Sequence, residues 1–327
     1  MIIDVHAHAL SEDFIRATAA RPDYGLPYEV RPDGSYFTRG YGEMERMMWD
    51  LDARLESLAR RGVDLQLVSP SPRTLSNHAR AIGVEVARLM NRETASLVKR
   101  GGGRLAGMGV LPLGEPDKAA DELRRAVGEY GFRSACLPTS AAGAPLDLPQ
   151  FEGAWDALEE LGLLVFMHGT TAIVRETLAQ YTLNTILAWP SEVTIAATRL
   201  IFSGVIERHP ALNLLLSHGG GTLPYLGGRL DLAYRAPRHE ANPACRTHIT
   251  KPPSEYLRQF YYDTVVASPA SLRFLIDLVG AERVMFGTDF PYEIGDSEGA
   301  IALPVIAELP AAARERILGQ NARNVLE

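Results

Sequence analysis

Four of the eight histidines stand where they could act together. His6 and His8 sit in the opening stretch "MIIDVHAHAL", separated by one alanine. Side chains alternate faces along a strand, so Asp4, His6 and His8 share one side and Ile3, Val5 and Ala7 the other. Two imidazoles on one inward face suit a divalent metal. His168 closes "LLVFMHG", His218 follows "NLLLS", and Asp289 lies in "VMFGTDFPY". A lone histidine at a strand end is ordinarily a hydrogen-bonded structural residue. Five polar groups at one rim are another matter, because burying them without a shared partner is costly. Asp4 lies deeper on the ligand face and reads as a group that orients a ligand. His78, His209, His239 and His248 fall in helices or loops with no common meeting place.

The elements that must position these groups follow from the apolar pattern. Strands are expected at "IIDVHAH", "DLQLVSPS" (64–71), "RLAGMGVLP" (104–112), "SACLPTS" (134–140), "LLVFMHG" (163–169), "NLLLSHGGG" (213–221), "FYYDTVV" (260–266) and "VMFGTDFPY" (284–292). Amphipathic runs such as "LDARLESLARRG" and "PDKAADELRRAVGEYG" lie between them. Strands alternating with helices imply a parallel sheet with helical crossovers. Eight such units give an α/β fold, a distorted TIM (β/α)8 barrel, with an open doubly wound sheet as the alternative. In a barrel the functional groups gather at the strand C-termini, where the five polar residues fall. Residues 20–45 depart from the repeat: two strand-like runs flank Pro32-Asp33-Gly34 and read as a small hairpin inserted after the first strand, over the barrel mouth. Residues 170–208 form a long, mostly helical stretch interrupted at Pro190, fit for a lid or a subunit contact. The tail from residue 311 reads as a closing helix. The whole chain, 1–327, is read as one barrel domain.

Composition narrows the partners. A net charge of -7 argues against nucleic acid or an anionic membrane, and no apolar run is long enough to span a bilayer. Two cysteines, Cys136 and Cys245, make no disulfide framework, which with the absence of a leader-like N-terminus points to the cytoplasm.

The motifs "DVHAH", "MHG", "SHGGG" and "GTDFPY" together resemble the amidohydrolase superfamily, in the decarboxylase-type branch that includes aminocarboxymuconate-semialdehyde decarboxylase and the resorcylate-type decarboxylases. The similarity extends to "RRGVDLQLVSPSP", "LGGRLDLAYR" and "KPPSEYLRQFYYDT", so it covers essentially the whole chain. It implies a distorted barrel around one divalent metal, most often Zn2+, with Mn2+ or Fe2+ as alternatives. By motif position His6, His8, His168 and Asp289 would be ligands, with water in the open position; His218 would be the general acid/base, and Asp289 would share in moving protons. Three imidazoles, a carboxylate and a free site make a catalytic centre. Binuclear relatives use a carboxylated lysine after the fourth strand; here that strand ends "CLPTS", and Lys99, Lys118 and Lys251 are elsewhere, so one metal is expected.

A carboxylate substrate calls for arginine, which grips it with two parallel hydrogen bonds. The resemblance places Arg229 in the neighbouring subunit's site, which implies a homodimer. The branch's second arginine position falls on Gly42 here, flanked by Arg39 and Arg46. Tyr292, Tyr41 and Arg73 are further pocket candidates, and Gly219 to Gly221 read as a close backbone approach beside His218. The expected activity is metal-dependent, non-oxidative decarboxylation of a small unsaturated or aromatic carboxylic acid. Hydrolysis of an amide, ester or lactone, or hydration, would use the same residues, and a non-enzymatic metal scaffold is the third possibility.

Overall fold

The computed structural model describes residues 1–75, 82–170, 176–236 and 243–327, without the side chains of Arg73 and Pro243. Eight parallel strands form one sheet: β1 (Ile3–His8), β2 (Leu65–Ser69), β3 (Leu105–Val110), β4 (Ser134–Pro138), β5 (Leu164–His168), β6 (Asn213–Leu216), β7 (Tyr261–Asp263) and β8 (Val284–Met285). They are paired in chain order, each to the next. Beyond β8 the chain runs on beside β1 and closes the ring. Val5 N–H donates to Phe286 O at 2.9 Å, His8 N–H donates to Phe290 O at 2.8 Å, and Ala7 bridges Phe290. The fold is the α/β barrel expected.

Alternation along β5 shows how the strands sort their side chains. Val165 and Met167 pack with helix residues such as Leu158 and Val193. Phe166 lies on the other side against the His6 ring, and His168 follows two residues on. Leu51–Arg61 illustrates the helices: Asp50 caps its first turn by accepting from Ala53 N–H at 3.0 Å, and Gly62, at φ 67, ends it. Its buried residues, Leu51, Arg54, Ser57 and Leu58, fall at helical spacing on one face. Each fully buried aliphatic side chain of this kind contributes about 1.5–3 kcal/mol.

Several strands stop earlier than the apolar pattern suggests. Pairing in β6 ends at Leu216, because His218 and the three glycines after it turn into left-handed backbone, with φ of 54°, 58°, 76° and 63°. Ladder pairing in β8 ends at Met285, and the chain turns at Asp289, φ 59. Both departures occur at the functional rim. The insertion holds an antiparallel sheet, Tyr28–Val30 with Tyr36–Thr38, plus a third short strand, Gly42–Glu43, that the sequence pattern did not reveal. Pro190 sits in the first turn of helix Trp189–Phe202, where its missing N–H costs nothing. It follows a widened turn at Asn184–Ala188 rather than breaking a continuous helix. The tail from Ala311 to Leu326 is helical, and Asn321 ties it to Val284 O at 2.8 Å. No helix among the described residues is long and apolar enough to cross a membrane.

Candidate active site and metal centre

His6, His8, His168 and Asp289 converge at the C-terminal rim, and one nitrogen or carboxylate oxygen from each lies within 4.8 Å of all the others. All four are buried. The second ring nitrogen of each histidine explains the convergence. His6 Nδ1–H donates to Asp263 Oδ2 at 2.6 Å, and His168 Nδ1–H donates to Gly169 O at 2.6 Å. His8 Nδ1–H is held by Ser69 Oγ at 2.9 Å and faces Pro70 O at 3.3 Å. With Nδ1 committed, each Nε2 faces the centre, the arrangement in which outer partners fix a metal-binding imidazole.

Asp289 reaches this point through its left-handed backbone, which for a residue other than glycine costs on the order of 1 kcal/mol. Its N–H donates to His6 O at 2.8 Å, which holds it there. The two carboxylate oxygens face different ways. Oδ1 lies 3.1 Å from His8 Nε2 and 3.2 Å from His6 Nε2; Oδ2 lies 3.8 Å from His218 Nε2.

The electrostatics match a site that expects a cation. Burial opposes a charge on His6, yet Asp289 and Asp263 outweigh it and push its pKa up to about 10. Burial pulls His8 down to about 4, and burial plus the neighbouring imidazoles hold His168 well below the usual histidine range. Burial works against the charge on Asp289, but His6, with His218 and His8, keeps it well below the usual carboxylate range. His168 Nε2 is buried without a hydrogen-bond partner among the described residues, and His6 Nε2 faces Asp289 Oδ1 at 3.2 Å. An unsatisfied buried polar atom costs about 1–3 kcal/mol, so three imidazoles and one carboxylate turned to one point, with His168 Nε2 unpaired among them, fit a divalent cation.

Asp4 does not touch the centre. It accepts from Thr288 Oγ1 at 2.6 Å, Gln66 Nε2 at 2.8 Å and Thr288 N–H at 3.1 Å, and so fixes the strand that delivers Asp289. The fully buried Arg54 extends this network, donating to Gln66 Oε1 at 2.6 Å and to His8 O. Neither Arg54 nor Gln66 carries a motif, and only the fold reveals them.

Two cavities open beside the cluster. One, of about 480 Å³, is lined by His218, Asp289, Pro190, Val265, Val266 and Leu275 among others. The other, of about 460 Å³, is lined by Tyr28, Tyr41, Ser71, Trp189 and Tyr292 among others. Both volumes lie within the range of about 300–1,000 Å³ usual for small-molecule sites. The Tyr292 ring lies 5.3 Å from His8, and its hydroxyl is 2.7 Å from Ser71 Oγ. Trp189 packs 5.5 Å from His168.

The arginines fall elsewhere within this chain. Arg39 pairs with Glu29 at 3.2 Å and Arg46 with Asp50 at 2.7 Å, both with exposed side chains, and neither lines these cavities. Arg229 is exposed on helix Leu223–Arg235. His209 pairs with Glu152 and Glu159, and His248 is exposed. His78 and His239 lie outside the described residues, as does the Arg73 side chain.

The three glycines after His218 serve close approach. A Cβ on Gly221 would lie 2.0 Å from Pro190 O, and one on Gly219 2.3 Å from Val266 Cγ1. The residue that sequence reasoning missed is Asp263, at the end of β7. It grips His6 from below and also accepts from the His218 and Gly219 amides at 3.0 and 2.8 Å. Its signal was available: an aspartate ends a barrel strand in "FYYDT".

Comparison with known proteins agrees with this architecture. A family model described as Amidohydrolase matches residues 3–327. The 2-amino-3-carboxymuconate-6-semialdehyde decarboxylase of Dictyostelium discoideum is 30% identical over 295 residues, covering 90% of this chain and 80% of that protein. The gamma-resorcylate decarboxylase of Rhizobium radiobacter is 28% identical over 333 residues, covering 94% and 97%. A crystal structure of dihydroxybenzoic acid decarboxylase from Polaromonas, with bound manganese and the inhibitor 2-nitroresorcinol, superposes with a TM-score of 0.75 at 23% identity, covering 99% of this chain and 96% of that one.

Proposed function

The chain belongs to the amidohydrolase family, and from that membership and the site's geometry we propose that it is a metal-dependent, non-oxidative decarboxylase of a small aromatic or unsaturated carboxylic acid. The observation that carries the reading is the convergence of His6, His8, His168 and Asp289, His168 Nε2 otherwise unsatisfied, with His218 alongside. These four residues would hold one divalent ion. Zn2+ suits the imidazole-rich donors, and Mn2+ has support from the manganese-bound neighbour. When bound, the ion would supply positive charge that polarises a substrate oxygen.

The chain's own residues do the rest. His218, 13% exposed at the cavity wall, is the proton carrier. Its Nε2–H gives a proton to the carbon that bears the carboxylate. The bond to the carboxylate then breaks, its electron pair returns to the conjugated system, and carbon dioxide leaves. Asp289 Oδ2 orients the imidazole, while Asp289 Oδ1 stays with the histidine cluster. Val265, Val266, Pro190 and Leu275 give the conjugated ring an apolar seat and exclude water. Tyr292, with Ser71, offers hydroxyl contacts to substrate from the second cavity.

A second copy of the chain would supply the carboxylate-binding arginine. Tyr225 and Leu232, 80% and 69% exposed, flank Arg229 on one helix, and an apolar stripe of this kind fits a homodimer contact. Arg39, beside the inserted sheet, and Arg46, which opens the short helix Arg46–Trp49 after it, would both have to move before either met a substrate.

The test is a panel of aromatic and muconate-type acids incubated with Zn2+- or Mn2+-loaded protein, with products weighed by mass spectrometry. Loss of carbon dioxide supports the reading. Gain of water, or cleavage by water, would replace it with hydrolysis or hydration.

A further inference from the structure

Asp263 touches both halves of the proposed machinery from outside the cluster, through the His6 ring and the His218 backbone. It is fully buried at the end of β7. Each of its oxygens serves two donors. Oδ2 accepts from His6 Nδ1–H at 2.6 Å and from His218 N–H at 3.0 Å. Oδ1 accepts from Gly219 N–H at 2.8 Å and from Val265 N–H at 3.0 Å. The His218 and Gly219 amides belong to two consecutive left-handed residues, φ 54 and φ 58. Successive N–H groups in a turn of this kind form a concave nest for an anion, and Asp263 fills it from within the fold.

We infer that Asp263 is a positioning residue that couples the ligand His6 to the proton carrier His218, so that one side chain sets both the metal-binding tautomer and the place of the acid/base imidazole. On the His6 side, an ionised oxygen at 2.6 Å keeps the hydrogen on Nδ1 and turns the Nε2 lone pair to the centre. On the His218 side, the carboxylate locks a backbone that β-structure would not adopt, and that backbone aims the imidazole at Asp289 Oδ2, 3.8 Å away. A carboxylate is required for this. In Asp263→Asn the amide has a single oxygen. Turned toward Gly219 and Val265, its NH2 meets two backbone amides that cannot adapt; turned toward His6 and His218 it meets only one, so the second orientation is favoured. His6 can respond by moving its hydrogen to Nε2, which removes it as a ligand. The His218 amide has no such option and loses its acceptor.

The coupling rests on the proposed function only for its kinetic arm, and the experiment separates the two. Asp263→Asn is compared with the wild type by circular dichroism, competition for Zn2+ against a chromophoric chelator, 15N NMR of labelled histidine in the Zn2+-loaded protein, and turnover of the acid found by the panel at saturating metal. The expected result is a folded variant with roughly 10–100-fold weaker Zn2+ binding. His6 moves from the Nδ1–H to the Nε2–H form. At saturating metal kcat falls at least about tenfold with KM nearly unchanged, the signature of a displaced proton carrier rather than a lost binding contact. A folded variant that loses metal affinity but keeps kcat, loses kcat but keeps affinity, or keeps the Nδ1–H form of His6 overturns the coupling.

If the variant does not fold, amide hydrogen exchange in the wild type decides. Strong protection at His218 and Gly219 supports the nest, and exchange at the rate of an open loop refutes it. That readout needs neither metal nor substrate, so it still judges Asp263 if the wild type releases no carbon dioxide.

Discussion

Removing and restoring the metal should reveal a single displaced proton. In the metal-free protein Asp289 and Asp263 hold His6 as an imidazolium, with its pKa at about 10 despite burial. His8, at about 4, and His168 are neutral at physiological pH, and Asp289 is ionised. Three of the four donors are therefore ready to bind, and His6 must first lose a proton. At about pH 7.5 that loss costs about 1.4 kcal/mol for each pH step up to about 10, roughly 3 kcal/mol in all. The apparent Zn2+ affinity then starts roughly 300-fold below its high-pH limit and climbs about tenfold per pH step between about 7 and 9. Calorimetry in buffers of different ionisation enthalpy should count close to one proton released per metal. Histidines of ordinary pKa would be neutral above about pH 7.5 and give a flat profile there. A flat profile with no proton released would refute the charged His6, and a slope near two would mean that a second ligand is also protonated.

The same pKa predicts that the metal-free fold loses stability as pH rises. The contribution of His6 is fully present below about 6.5 and disappears through about 10, so the Tm of metal-free protein should fall across that window and the metal-loaded Tm should not follow it. Gly221→Ala places a Cβ 2.0 Å from Pro190 O at φ 63, and should cost on the order of 2–4 kcal/mol in urea unfolding; a stability unchanged within about 0.5 kcal/mol would contradict the close approach. His218→Asn should keep Zn2+ binding and lose at least about a hundredfold in kcat, whereas undiminished turnover removes the proton-carrier role. Hybrids of His218→Asn and Arg229→Ala protomers should recover activity that neither parent dimer has; no recovery, or an active monomer by light scattering, rules out the arginine supplied across subunits.

The barrel and its polar rim were legible because each depends on short-range rules. Strand alternation put His6 and His8 on one side, and helical spacing separated the eight strands. His168, His218 and Asp289 declared themselves by ending those strands. What stayed hidden depends on contacts that no local pattern encodes. Arg54 reads as one charge among many on an amphipathic helix, and only the fold shows it buried against His8 O. Asp263 stands in view at the end of "FYYDT", but its partners His6 and His218 come from two distant strands, so its role is written in no local pattern. The overlong estimates for β6 and β8 have a similar origin: apolar content argues for continued pairing, while the turns at His218 and Asp289 are set by the site they serve. The third strand of the insertion, Gly42–Glu43, is too short and polar for its composition to announce it.

The closure of the ring between β1 and the segment after β8 has a consequence for how the protein is made. His8 and Asp289 are 281 residues apart. A ribosome adding about 5–20 residues per second releases the histidine pair tens of seconds before the aspartate exists. During that interval His6 lacks both of the carboxylates that later surround it, and the emerging chain offers a cation only a fragment of its site. On the proposed ligand set, a cation meets all four donors only once Asp289 has been made. Loading would then depend on the ions around a nearly finished chain and not on those met by its first residues.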